Sequence, residues 1–174
     1  MKNKIIYLTG IAVIVSVVFL TIYGLKSPPR TGFILLTSVY SNFDMKKELE
    51  KKFTETKKER EKLLDSMAIQ LRILANQLDS QKVHDQKLIT IYNYKREEFL
   101  QKRKSFEEDN KQLSDQYDKQ IITQLNQYVK DFGAQNQYEY IFGNDGNGSL
   151  MYAQETNDLT KLVTDFINRK YSGK

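Results

Sequence analysis

From Phe33 to Phe132 the chain contains neither glycine nor proline. Losing both principal helix breakers over about a hundred residues leaves long helices as the main way to fold this stretch. Within it Leu49, Phe53, Leu63, Met67, Leu71, Leu74 and Leu78 recur at helical gaps, with Thr56 and Arg60 filling two positions of the same stripe. Phe99, Phe106, Leu113, Tyr117, Ile121, Leu125, Tyr128 and Phe132 form a second stripe, with Arg103 in one place. The remaining faces are Lys, Glu, Gln and Asp. Such narrow seams are those of a coiled coil, and the aromatic, Thr and Arg members make them imperfect.

One straight helix over 45–132 would reach roughly 130 Å. The rhythm of the seam breaks between Asp79 and Gln86, near its midpoint, so the pattern predicts a hairpin of two antiparallel arms with its tip near 79–90.

The flanks predict a small β body. Phe33–Tyr40 is short, apolar and rich in strand formers, which predicts a strand, and Ser41-Asn42-Phe43-Asp44 fits a helix-start box. After Phe132, Gly133 suits a left-handed helix cap. Gln137–Phe142, the Gly/Asn cluster 143–149 and Leu150–Ala153 then predict a β-hairpin. Asn157 and Asp158 would cap a last helix that buries Leu159, Leu162, Val163, Phe166 and Ile167. The expected fold is therefore α+β and mostly α: a long antiparallel helical hairpin inserted in a small antiparallel β body.

The N-terminus places a transmembrane helix before this body. Residues 5–23 are apolar apart from Thr9, Gly10, Ser16 and Thr21, and follow a short basic start. A helix of that length spans roughly 28 Å, enough for a bilayer core. A cleaved secretory signal is the other reading. The exit Thr21–Lys26 lacks the small-residue cleavage pattern, and the apolar run exceeds the usual signal core, which favours a retained anchor. Lys2 and Lys4 lie on one side and Lys26 and Arg30 on the other, so charge barely orients the span. The likeness to export signals puts the N-terminus inside and the bulk of the chain outside. The expected division is anchor 1–25, linker 26–31, first body strand 32–44, hairpin 45–132, and β-hairpin with C-terminal helix 133–174.

Composition then excludes several chemistries. The chain has no cysteine, hence no disulfide framework and no lipoprotein attachment. The net charge of +5 is spread among interspersed acids, unlike the concentrated basic surface of a nucleic-acid binder. His84 is the single histidine and reads as a surface residue. Glu97-Glu98 and Glu107-Glu108-Asp109 sit among lysines as solvated helical faces rather than acid–base pairs. The cluster Asn144–Gly148 fails as a calcium loop: counting from Asp145, Leu150 stands where Gly is needed and Thr156 where Glu is needed. No phosphate loop occurs, and no cofactor is expected. Asn147-Gly148-Ser149 matches the N-glycosylation pattern, which is common by chance.

One surplus of charge stands out. Lys82, Lys87, Lys95, Arg96, Lys102 and Arg103, interleaved with Tyr92, Tyr94 and Phe99, lie near the far end of the hairpin. Against the plain reading of a solvated face, this is a candidate grip for acidic or partly apolar ligands or anionic headgroups.

The order of elements and the two ends resemble the Skp/OmpH family of periplasmic chaperones. The resembling residues are Gly32–Leu49 at one end. At the other they are Tyr138-Glu139-Tyr140-Ile141-Phe142, the Gly/Asn turn, Leu150-Met151-Tyr152-Ala153 and Asp158-Leu159-Thr160. The latter are similar to the family's Y-D-x-V-F-D…G-x-x-L-Y-A…D-I-T signature. Two departures are Leu36-Thr37 in place of a Val-Asp pair, and the retained anchor where the family has a cleaved signal. The resemblance implies a homotrimer whose joined sheets form one body, with Phe33, Leu35, Val39, Tyr140, Phe142, Leu150 and Tyr152 in that shared core. It also implies that unfolded outer-membrane proteins are held between three hairpins. With no nucleotide-site motif in the sequence the holding is expected to be ATP-independent, and with no catalytic constellation no enzyme activity is expected. The rival expectation is an anchored coiled-coil adaptor of an envelope secretion or efflux assembly. That reading calls for lipoyl-like half-motifs and a larger barrel than this chain can supply.

Overall fold

The computed structural model describes residues 14–19, 28–80 and 85–173. Its order is β1 (Thr31–Leu35), α1 (Leu36–Asn42), α2 (Asp44–Ser80), α3 (Gln86–Gln135), β2 (Tyr140–Asn144), a 3-10 turn (Glu155–Asn157) and α4 (Thr160–Tyr171).

Helices α2 and α3 pair as antiparallel arms. Arg60 of α2 meets Phe106, Asp109 and Asn110 of α3, while Leu63–Leu71 face Lys95–Lys102 farther out. The first arm ends at Ser80 and the second begins at Gln86. The Asp85 carboxylate accepts the backbone N–H groups of Lys87 and Leu88, which caps α3 where no glycine or proline marks a turn.

The arms differ in length, and that difference explains the main correction to the expected body. With 50 residues against 37, α3 outruns α2 by about 20 Å at 1.5 Å per residue. It therefore carries the chain back past α1 to the beginning of β1. Arg30 marks the place: its carbonyl accepts Glu139 N–H at 2.9 Å, its guanidinium donates to the Asn136 carbonyl at 2.8 Å, and it covers the Tyr138 ring. From that end β2 can only run alongside β1 in the same direction. The sheet is two-stranded and parallel, from Thr31 opposite Tyr140 to Leu35 opposite Asn144, and not the expected antiparallel body.

Four local expectations also change. The chain leaves the strand at Leu35, where β2 ends opposite it and Thr160 Oγ1 accepts the Leu35 N–H at 2.9 Å. Leu36–Asn42 then forms a helix that buries Val39 and, one turn later, Phe43. Gly133 is not a cap but a buried residue inside α3, which continues to Gln135; Gln137, at φ 58°, makes the left-handed turn. Leu150–Ala153 is not a strand: no described residue pairs with it, and Met151 and Tyr152 are 88% and 82% exposed. Leu162 of α4 is exposed rather than buried, while Leu159, Val163 and Ile167 do face the core.

Of residues 5–23, only 14–19 are described; they are helical and exposed, and the rest of the predicted span lies outside the described residues. Among the described residues no helix is long and apolar enough to cross a membrane.

The core sits wholly at the base. Ile34, Val39, Phe43, Leu49, Ile121, Leu125, Phe132, Leu159, Val163 and Ile167 pack together there. Aromatic edges close it, Phe43 against Tyr128 and Tyr171, and Phe132 against Phe166. Asn168 of α4 locks the entry to α2 by accepting Asp44 N–H at 2.9 Å and donating to the Asn42 carbonyl at 3.0 Å.

Candidate functional site

Two surfaces gather the candidate residues, one on the hairpin and one on the body. In the hairpin, full burial is confined to its root. No described residue of α2 beyond Leu49 is fully buried, and none of α3 before Ile121. The outer part is held by half-buried seam residues, and one polar cluster punctuates it. There Arg60 donates to Asn110 Oδ1, lies 3.8 Å from Asp109 and stacks over Phe106. An arginine within a seam fixes register at some cost in stability.

Beyond Arg60 the arms part around a cavity of about 230 Å³, lined by Leu63, Met67 and Leu71 on α2 and by Lys95, Glu98 and Lys102 on α3. Polar side chains stand there where a seam would want apolar ones. Lys95 donates to Glu98 at 2.8 Å, and that hydrogen bond raises the lysine's pKa.

The sequence-predicted grip is thereby divided. Tyr92 and Phe99 are half-buried and belong to the seam, while Lys87, Tyr94, Arg96, Lys102 and Arg103 are exposed. Lys95 is neutralised by Glu98, and Arg103 lies 3.9 Å from Glu107 with its guanidinium over Phe99. Lys102 reaches over the Phe106 ring. Lys87 and Arg96 form no ion pair among the described residues. Lys82 lies outside the described residues.

The structure adds apolar groups that the charge argument missed. Ile69 and Ile73 are both 51% exposed on α2, and Ile91 joins Tyr94 outside α3. Ile69 and Ile73 are one turn apart and off the seam stripe. That spacing was the only available signal, and reading the stripe alone passes over it.

On the body, parallel pairing sorts the strand residues by face. Gly32 and Ile34 of β1 turn inward with Ile141 and Gly143 of β2, and glycine at 143 lets Leu36 approach. Phe33, Leu35, Tyr140 and Phe142 share the outer face. Leu35, Tyr140 and Phe142 are 40%, 57% and 49% exposed, and the last two rings stack with centroids 6.1 Å apart. Of the seven predicted core residues, Val39 is buried within the chain, Phe33 and Leu150 are half-buried, and Leu35, Tyr140, Phe142 and Tyr152 are exposed. Beside them a groove of about 410 Å³ opens between α1 and α3, lined by Leu36, Tyr40, Ile122 and Leu125.

Among the described residues no group of carboxylates or histidine is placed to hold a metal ion. What the chain presents is a small body with an apolar outer face and a long, half-open arm studded with cations and isolated apolar side chains.

No curated protein matches the chain. A family model does: that of the outer membrane protein (OmpH-like) family, over residues 30–167. The match runs from the start of β1 into the last helix and so takes in both surfaces. The chain therefore belongs to the OmpH-like family, a family of periplasmic chaperones of outer-membrane proteins.

Proposed function

We propose that the chain is an ATP-independent holdase that captures unfolded outer-membrane proteins in the cell envelope and keeps them from aggregating. The observation that carries this reading is the distribution of burial along the hairpin. An arm with its whole core at the root leaves Ile69, Ile73, Ile91 and Tyr94 accessible beside Lys87 and Arg96. Many weak apolar and ionic contacts suit an unfolded chain better than one shaped pocket would.

Capture takes place in a homotrimer. The outer faces of three sheets, with Phe33, Leu35, Tyr140 and Phe142, form the shared core, and the exposed Leu150–Ala153 segment adds strands to it. A two-stranded sheet is marginal alone, and an apolar face of this kind marks an interface. Residues 5–23 hold the trimer at the inner membrane. Because the chain enters the body beside Arg30, at the end of α3 away from the tip, the hairpins point away from that membrane.

The test is dilution of a urea-unfolded outer-membrane barrel protein into the full chain in mild detergent, without ATP. Light scattering from aggregates should fall as trimer approaches stoichiometry; aggregation unchanged at several-fold excess sinks the proposal. Static light scattering of the protein alone should give three chains, and a monomer rejects the shared core. N-terminal sequencing of the mature protein should begin at or next to Met1; a start within the linker shows cleavage instead of anchoring.

A further inference from the structure

The loop leaving β2 holds the chain's one Asn-Gly pair, Asn147-Gly148, and its one Asp-Gly pair, Asp145-Gly146. A glycine after either residue lets its backbone nitrogen approach the preceding side-chain carbonyl carbon, since no Cβ stands in the way. Both pairs are exposed, so composition alone does not say which would react.

Their surroundings separate them. Asp145 Oδ1 accepts Asn147 N–H at 2.9 Å, and Oδ2 accepts the Asn147 side-chain N–H at 3.2 Å. These bonds favour the ionised carboxylate, which is a poor electrophile. Asn147 keeps a neutral amide whose nitrogen, the leaving group, already points at that carboxylate. Gly148 N–H has no acceptor among the described residues. A Cβ at Gly148 would meet only Met151 Sδ at 3.6 Å, and its φ of +89° suits glycine alone.

We propose that Asn147 is a self-modification site, converted without any enzyme to aspartate and isoaspartate through a succinimide. Gly148 N attacks Asn147 Cγ, and the new N–Cγ bond replaces the Cγ–Nδ2 bond. Ammonia leaves with the proton from the Gly148 amide. One water then opens either imide carbonyl, giving aspartate or, with the main chain rerouted through the side-chain carbon, isoaspartate. The product carries a negative charge beside Asp145, and like charges at that range open the turn that the two residues now share. Isoaspartate also lengthens the connector between β2 and the exposed Met151-Tyr152 segment. On the trimer reading given above, aged chains would assemble less well.

The experiment ages the full chain in mild detergent in warm, weakly alkaline buffer and maps its peptides by mass spectrometry. Residue 147 should gain about 1 Da. It should do so at least about tenfold faster than Asn110 or Asn126 within α3, where no glycine follows. Asn147→Gln, which would need a six-membered ring, should abolish the change, and Gly148→Ala should slow it severalfold. Conversion at 147 no faster than at the helical asparagines, or isoaspartate found chiefly at Asp145, overturns the proposal. Light scattering on the aged sample tests the consequence for assembly separately, so a monomer from the outset would reject the trimer and leave the chemistry standing.

Discussion

Single side chains decide how the body closes, and Gly32 shows the tightest case. A Cβ there would stand 2.3 Å from Leu159 Cδ1 and 3.2 Å from the Asn157 carbonyl oxygen, with Leu159 itself in the core. Gly32→Ala should therefore cost about 1–3 kcal/mol through overpacking, seen as a lower urea midpoint at unchanged slope. Two tyrosines tie body to hairpin and give the molecule an alkaline limit. Burial first, then the hydrogen bond that Tyr40 donates to Asp118 at 2.8 Å, push the Tyr40 phenol up to about 12. The bond from Tyr171 to Glu48 at 2.6 Å, with burial second, does the same at Tyr171. Between about 10, the ordinary phenol value, and about 12 the folded chain holds protons that the unfolded chain has lost. Their contribution is complete below that window and disappears as pH rises through it. Thermal melts across the window should show a shallower decline in a Tyr40→Phe/Tyr171→Phe double variant than in the parent.

Among the elements, the hairpin has a firm root and a soft outer reach. Leu49→Ala removes a core side chain and should cost about 2–4 kcal/mol. Leu74→Ala, at a half-buried seam position, should cost roughly 1 kcal/mol. Hydrogen exchange should agree, with protection highest from Ile121 to Phe132 and lowest beyond Arg60. The arms were legible in the sequence because one hundred residues without a breaker leave little choice. The helix at Leu36–Asn42 was not. Leu36, Val39, Tyr40 and Phe43 do carry a helical spacing, but within a short run of β-branched and aromatic residues it reads as a strand. Strand direction was hidden for another reason: it depends on how far α3 overruns α2, and the sequence shows where helices can run but not where they dock. Ile69 and Ile73 lie off the Leu63–Met67–Leu71–Leu74 stripe, on the side that the heptad pattern assigns to solvent, so their exposure shows only in the folded arm.

In the whole molecule, capture should combine a charge-dependent and a charge-independent part. Raising salt shrinks the screening length from about 10 Å at 0.1 M to about 3 Å at 1 M. An acidic unfolded client should then bind severalfold more weakly, while a residue of binding persists through the isoleucines and Tyr94. The chain has no tryptophan, so a client's own tryptophan fluorescence reports binding without background. Equal binding at both salt levels would assign capture to the apolar groups alone. The parallel ladder also has a consequence in time. Thr31 meets Tyr140 across more than a hundred residues, and between them lies every residue of the hairpin. Closing so long a loop is slow unless the intervening chain has already shortened the distance. The arms must therefore zip before the strands can meet, and a chain emerging N-terminus first exposes its earliest strand throughout that interval.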